Sequence, residues 1–399
     1  MKLLFLHPNF PAQFKYLATA AAKYGNEVKF LCQTHFNRKI EGVQRLTLKG
    51  EFGHESLKKE NLGLLGETKK MSEQYREGCL ALKNSGWDPD VVISHSGWGC
   101  GLCIKEIWPR THHIAYLEWW FNPESEFFTY NEKNKYVGIS KNSIRKCWQR
   151  NVYVSHELAC SDVIVAPTSW QKKQLPPLLR RNCHVIFDGV DTKKFQGEYQ
   201  EFDNDRIQIT YGTRGMDPFR GFPEFITAIP KIISSTVGEV TIDIAGFEGT
   251  FYGSKPKNHN TWKEWAEEYL NFKSVAHMVK WKGYMEEAQY INWLKSSDCH
   301  IYFTHPFVPS WSLVDALASG CPLLVSDIEA LDEFVRECEG VTRVDHRSTE
   351  EIVTRVIDTV KLRRDNMKLR FKRNLGSFSL ENSLSSWEAV SGVELTTQH

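Results

Sequence analysis

Two arginines and one aspartate carry the most specific chemistry in this chain. Arg214 and Arg220 stand in Tyr211-Gly-Thr-Arg-Gly-Met-Asp-Pro-Phe-Arg-Gly-Phe222, between a strand-like apolar run and a helix-like amphipathic one. A diphosphate needs cations that stay charged at any working pH, and guanidinium adds forked hydrogen-bond donors. If the diphosphate is a leaving group, it gains charge in the transition state, so the same arginines would serve catalysis and binding. A pair of surface arginines at a turn would show the same pattern. Further on, the segment Phe307-Val-Pro-Ser-Trp-Ser-Leu-Val-Asp-Ala-Leu-Ala-Ser-Gly-Cys-Pro322 leaves a strand, turns at Pro309 and opens a helix near Ser310 and Ser312. Free backbone N–H groups and hydroxyl caps at that point make an anion site. Asp315, one turn in, is placed to accept two hydrogen bonds from a ribose diol. The plainer reading is a capped helix whose aspartate complements the helix dipole.

The first half offers a different set. His95 ends one strand-like run, and Glu118 ends the next, before Trp119 and Trp120. A carboxylate at a strand end can orient an acceptor, take its proton or stabilise a cationic centre. Either residue can equally be a hydrogen-bonded strand end. His7-Pro-Asn-Phe-Pro11 closes the first strand, and Asn9 and Gln13 are candidates for hydrogen bonds to sugar. Residues Tyr116–Tyr136 are rich in aromatics, and the helix after them carries Lys141, Arg145, Lys146, Trp148 and Arg150. Interleaved aromatics and cations can stack bases and neutralise phosphates, or dock on anionic lipid. A packed lid with a solvated helix face fits as well.

These residues need a scaffold, and the apolar pattern supplies one. The chain has 399 residues, 41% hydrophobic and 25% charged, which points to two globular domains. Lys2–Leu6, Glu27–Cys32, Asp90–Ser94, His113–Leu117, Asp162–Ala166 and His184–Phe187 read as buried strands, with helices over Pro11–Tyr24 and Asn142–Ala159. A second series follows. Its strands are Ile207–Tyr211, Val240–Ala245, Val279–Trp281, Cys299–Phe303 and Pro322–Ser326, and its helices are Pro223–Ser234, Glu286–Ser296 and Ser312–Ser319. Alternating strands and helices imply parallel sheets covered on both faces. The expected fold is α/β, with two doubly wound Rossmann-like domains facing a cleft: residues 1–196, residues 197–365, and terminal helices over 366–399 packing back on the first domain. The basic-amphipathic stretch Thr359–Asn374 is expected to be helical, and the polar segment 197–206 to be the linker.

Net charge is +1, yet residues 1–196 carry +9 and the remainder −8. A basic half suits an anionic partner such as nucleic acid, an acidic polymer or a membrane surface. Mutual attraction of the two halves would explain it too. No apolar run is long enough for a membrane span, and the N-terminus reads as a first strand, not a signal peptide. The ten cysteines are scattered, which suits a reducing cytoplasm. The Cys100/Cys103 pair lacks a second ligand pair, so buried thiols are expected over zinc or redox chemistry.

The order of motifs resembles glycosyltransferase family 4, retaining enzymes of the GT-B fold. Phe307–Pro322 is similar to the family's Glu, seven residues, Glu, then Ala-Met-Ala-Ser-Gly-x-Pro. Arg214 and Arg220-Gly221 resemble its Arg and Lys-Gly, and Val185-Ile-Phe-Asp-Gly-Val-Asp191 resembles its Val-Ile-Pro-Asn-Gly-Val-Asp. Ser-Asp-Val-Ile-Val-Ala-Pro-Thr-Ser at 161–169 is similar to the preceding strand and turn. The likeness covers about residues 1–340 and is nearest to a subgroup with His-Pro-Asn-Phe-Pro early and Pro-Phe-Val-x-Ser-Trp-Ser-Leu late. It implies a nucleotide-diphosphate sugar donor, expected to be UDP-linked, and no catalytic metal. Gly283 and Tyr284 would lie beside the nucleobase. Phe307 replaces the Glu that commonly contacts sugar hydroxyls, and Asp315 shortens the one that holds ribose, which leaves the sugar open. The family usually has glycines where His7–Pro11 stands, and a His where Glu118 stands. The expected reaction is transfer to a hydroxyl of an anionic acceptor, with a hydroxymethylated base of phage-type DNA first among the candidates. Cell-surface glycan, protein and membrane-linked acceptors remain open. So do two other classes: a sugar-nucleotide epimerase, and a sugar-nucleotide-binding protein without catalysis. No obligate protein partner is evident.

Overall fold

The computed structural model describes residues 1–131, 134, 136, 137, 141–195, 206–365 and 371–396. The expected linker lies almost wholly outside the described residues. Contacts group the chain into two compact units: Met1–Ser125, Lys141–Gly189 and Gly376–His399 form the first, and Glu126–Ser140 and Val190–Leu375 the second.

The first unit is built on seven strands: β1 (Lys2–Leu6), β2 (Glu27–Cys32), β3 (Val43–Thr47), β4 (Val91–His95), β5 (His112–Tyr116), β6 (Val163–Ala166) and β7 (Cys183–Val185). Their order is β3-β2-β1-β4-β5-β6-β7, and every pairing is parallel. The second unit holds β8 (Arg206–Gly215), β9 (Glu239–Phe247), β10 (Val279–Gly283), β11 (Cys299–Tyr302), β12 (Leu323–Ser326) and β13 (Val341–Val344). Their order is β10-β9-β8-β11-β12-β13, again all parallel. Both sheets are therefore doubly wound, as the alternation predicts. Central strands are apolar on both faces because helices cover both sides: Leu3, Leu4, Phe5 and Leu6 are all buried. In each sheet the strand order reverses at one place, between β1 and β4 and between β8 and β11. Ligands of open α/β sheets bind beyond the carboxyl ends at such switch points. The candidates after β1, β4, β8 and β11 stand at those ends.

The structure departs from the sequence reading in three places. Two edge strands, β3 and β13, escape the apolar pattern because each has only one neighbour and a half-exposed face. The helix expected through Asn374 is described over Thr349–Asp365, residues 366–370 lie outside the described residues, and Phe371–Leu375 is not helical. There the Arg373 guanidinium collects the carbonyls of Leu317, Cys321, Glu339 and Gly340, and Phe371 N–H reaches Gly320 O at 3.2 Å. Those bonds hold the stretch against the end of the helix Trp311–Ser319 and the loops beside it. Finally, Glu126–Ser140 belongs with the second unit. Phe127 stacks on Phe219 at 5.8 Å, and Asn134 donates to Glu224 at 2.6 Å, so the segment is packed into that unit and hydrogen-bonded to it.

Glu157 is a test of the first unit's interior. It projects from the helix Lys141–Cys160, is fully buried and accepts from Ser94 Oγ at 2.7 Å. Gly101 is required beside it, since a Cβ there would lie 2.3 Å from the Glu157 carboxylate. Burial pushes the carboxyl up to about 7, against the Ser94 hydrogen bond and the His95 charge. The folded state then binds more protons than the unfolded state between the ordinary 4.5 and about 7. Stability from this group is therefore lost as pH rises through that window, by up to about 3 kcal/mol. Glu157→Gln should remove this component, so its urea-unfolding free energy should fall less than wild type between pH 4.5 and 8.

Candidate active site

In the second unit, the candidate residues gather around the ends of β8 and β11. A bulge in β8 lets Gly212 pair with Ala245 and Gly215 with Phe247, leaving one extra residue at Thr213–Arg214. Bulges re-aim side chains, and here Arg214 is exposed with its guanidinium over Phe251 at 4.6 Å. Only glycine fits opposite: at Gly246 (φ +134°) a Cβ would fall 2.0 Å from Thr213 O. Arg220 ends the short turn Pro218–Arg220. Its Nη1 donates to Thr304 Oγ1 at 2.8 Å and to Val308 O at 3.3 Å, and its guanidinium lies over Tyr252 at 5.6 Å. Tyr211 OH donates to the Arg220 carbonyl at 2.8 Å. Gly221 (φ +63°) closes the turn against Phe303, whose Cβ would be 2.5 Å from any added Cβ. Asp217 is buried in the same loop; burial pushes its carboxyl up to about 6, with the Arg220 charge opposing.

The helix Trp311–Ser319 follows β11, with Ser310 at its N-cap. The expected hydroxyl cap is not made. Ser310 Oγ pairs with Ser312 Oγ at 2.5 Å, while Ser310 N–H donates to Tyr302 OH at 2.9 Å. Asp315 is half-buried. Burial first, then the Glu287 charge, push its carboxyl up to about 7, against Lys194 and a hydrogen bond from Tyr290. Lys194 also pairs with Glu287 at 2.7 Å. Phe307 packs in an aromatic group with Tyr252 (5.3 Å), Phe127 (5.9 Å) and Phe219 (6.1 Å). Gly283 (φ +61°) ends β10, and Tyr284 beyond it is exposed and stacks on Phe247 at 5.8 Å.

The first unit brings four polar side chains together at the ends of β1, β4 and β5. Gln13 Nε2 donates to Glu118 Oε1 at 2.9 Å, and Glu118 Oε2 lies 3.4 Å from His95 Nε2. The latter contact is within ion-pair reach but is not aligned as a hydrogen bond, since His95 Nε2 has no hydrogen-bond partner among the described residues. His95 Nδ1 accepts from Gly97 N–H at 3.3 Å, and its ring meets His7 edge-on at 4.7 Å. Burial, then the nearby His95, hold His7 neutral, and its Nδ1 accepts from Asn9 N–H at 2.8 Å. Asn9 Oδ1 is taken by Thr34 at 2.7 Å.

The aromatic and basic candidates separate. Trp120 is a core residue beside Val154 and Leu158, so it is not an exposed stacking surface. Trp119 is half-buried and packs on Trp170 at 5.4 Å. Arg145, Lys146, Trp148 and Arg150 are exposed on one helix, with Arg150 over Phe121 at 5.4 Å. Lys141 opens that helix, and its side chain lies outside the described residues. Cys100 is buried and Cys103 partly so; burial pushes both thiols up, and all ten cysteines are free. No helix among the described residues is long and apolar enough to cross a membrane.

Residues 24–195 match the model of the glycosyl transferase family 4 group. Among solved structures, a sucrose-phosphate synthase from Thermosynechococcus elongatus superposes with TM-score 0.66 at 13% identity, over 97% of this chain and 98% of that one. Anabaena HepE, solved with UDP and glucose, gives 0.65 at 12%, over 98% of each chain. An α,α-trehalose-phosphate synthase (UDP-forming) from Burkholderia vietnamiensis gives 0.63 at 11%, over 97% and 98%. The chain has the GT-B fold of these structures, and residues 24–195 resemble the glycosyl transferase family 4 group. No curated protein matches its sequence.

In the second unit, several polar groups beside the candidates carried no sequence signal. Thr304 and the Val308 carbonyl, which hold Arg220, sit more than eighty residues away. Tyr290, which meets Asp315, lies on a different helix, Glu287–Lys295. Tyr252 and Phe251, beneath the two arginines, follow β9 in an irregular stretch. Only a fold that places β9 and β11 on either side of β8 joins them.

Proposed function

We propose that the second unit binds a UDP-linked sugar and that the chain transfers the sugar, with retention, to a hydroxyl of an anionic acceptor. The observation that carries this reading is the held guanidinium of Arg220 at the switch point of the second sheet. Arg220 and the exposed Arg214 bind the diphosphate and offset the charge it gains as the bond to the sugar breaks. Asp315 accepts the ribose hydroxyls. The exposed Phe247–Tyr284 pair, with Gly283, offers a flat face for the base. Phe307 provides an apolar wall, so sugar hydroxyls are read by other groups, including the backbone near Ser310 and Ser312. Two solved structures of the same fold hold UDP, which supports the choice of nucleotide.

Glu118, held by Gln13 and beside His95, orients the acceptor hydroxyl or accepts its proton. Acceptor attack and departure of the diphosphate occur on one face of the sugar, with the leaving phosphate helping to take the acceptor's proton. No catalytic metal is invoked. For the acceptor, DNA carrying a hydroxymethylated base fits the exposed Arg145, Lys146, Trp148 and Arg150 and the basic first half. Those cations would neutralise phosphates and Trp148 would stack, with the target base flipped out of the duplex. The exposed Trp148 and Val152 on the same helix favour an anionic lipid surface as the second reading.

Mass spectrometry of candidate acceptors after incubation with a panel of nucleotide sugars tests the reaction. Absence of any transfer or donor turnover would leave only a binding protein, and conversion of the donor to an isomer without acceptor would make it an epimerase. Arg220→Ala should cut transfer by about 10²-fold or more, as loss of one preorganised donor does; a near-normal rate removes Arg220 from the phosphate site. Asp315 accepts two ribose hydroxyls most strongly when ionised, so UDP affinity should rise with pH through about 7. Calorimetry should find that part of the pH dependence missing in Asp315→Asn, whose binding is weaker throughout. Duplex DNA binding should fall steeply with salt. In Arg145→Ala or Lys146→Ala, the log–log slope should shrink by about 0.9 for each phosphate the protein no longer neutralises. Binding to anionic vesicles and not to DNA overturns the DNA reading.

A further inference from the structure

Inside the second unit, three side chains that make good metal ligands meet behind the turn that presents Arg220. Glu224 lies in the first turn of the helix Phe222–Ser235, His305 follows β11, and His346 follows β13. All three are buried, and one ligand atom from each lies within 4.8 Å of the other two. They come from three separate elements, so no local periodicity gathers them.

The geometry around His346 is that of an oriented ligand. Its Nδ1 faces two hydroxyls, Ser326 Oγ at 2.8 Å and Tyr130 OH at 3.2 Å. Its ring lies nearly parallel to Phe303 at 5.2 Å, and His305 meets it edge-on, also at 5.2 Å. With one nitrogen engaged and the ring sandwiched, the other is fixed in direction. That other atom, Nε2, is buried and has no hydrogen-bond partner among the described residues. An imidazole whose far nitrogen is fixed by a hydrogen bond is how proteins present a metal ligand. Glu224 is oriented in turn by Asn134, which donates to its Oε1 at 2.6 Å.

We propose that Glu224, His305 and His346 bind one divalent ion of the zinc type. Two imidazoles and a carboxylate are a donor set that zinc and its first-row neighbours accept, and that magnesium and calcium do not favour. The ion is structural and lies outside the transfer chemistry. It fixes the back of the turn that presents Arg220. His305 N–H donates to Phe219 O at 2.9 Å, and His346 Cδ2 would be 3.2 Å from a Cβ on Gly221. Through Tyr130 and Asn134 it also fastens the segment Glu126–Ser140 to its unit.

The test uses the full-length protein, prepared without a histidine tag and dialysed against a chelator. Titration with Co²⁺ should give visible ligand-field bands that saturate at one ion per chain and disappear when Zn²⁺ is added. Zn²⁺ should raise the unfolding temperature of the chelator-treated protein by a few degrees, whereas Mg²⁺ should not. His346→Gln should lose both the cobalt bands and the zinc-dependent shift, while Cys103→Ser keeps them. If wild-type protein gives no cobalt bands and unfolds at the same temperature with and without Zn²⁺, the trio is a hydrogen-bonded cluster only and the proposal is overturned. Donor binding is measured separately, so failure here leaves the transferase reading intact.

Discussion

A guanidinium that is to receive a leaving diphosphate must be held still before the charge arrives. In the function proposed for this chain that requirement falls on Arg220, and much of the second unit can be read from it. The side chain is fixed by a hydroxyl and a carbonyl from the far side of the β8–β11 switch point. Its own carbonyl is held by Tyr211 from within the strand. The turn beneath it needs Gly221, because Phe303 fills the space a side chain would take. Asp217, buried in the same loop, places a second titratable group beside the cation. Removing solvent from such a set strengthens each interaction and lowers the reorganisation needed during reaction.

The first unit solves a different problem. Its polar cluster uses a carboxylate, Glu118, that stays half-exposed while its partners His7 and His95 are buried. Burial keeps His7 neutral. The exposed basic side chains of the helix Lys141–Cys160 lie on the same unit but do not meet this cluster in the described hydrogen bonds and ring pairs. The exposed basic face and the polar cluster are thus separate features of one scaffold.

Most of the fold was legible because central strands of parallel sheets are apolar on both faces and therefore stand out as continuous runs. The edge strands β3 and β13 were not, because one open side lets polar residues in. Arg214, Arg220 and Asp315 could be singled out from residue type and spacing after strand-like runs. Their supporting groups could not. Thr304, Tyr290 and Tyr252 become neighbours only through strand order, and Trp120 looked like part of a stacking surface until the helix Lys141–Cys160 was seen to cover it. The Ser310 cap failed for another reason: its hydroxyl pairs with the Ser312 hydroxyl instead of a backbone N–H of the first turn. Sequence spacing reports which groups are near along the chain, and burial decides which of them remain available.

The Glu126–Ser140 segment has a topological consequence. The chain passes from the first unit to the second after Ser125, returns at Lys141, leaves again after Gly189 and comes back at Gly376. Four passages join the two bodies, and neither body is a continuous stretch of sequence. No single cut can release an intact half, and no simple truncation yields either unit with all its parts. During synthesis the second sheet must wait for sequence well past residue 300, although the segment that packs on it was made long before. The early piece must stay unpaired, or pair provisionally, until β11 and β13 exist to receive it.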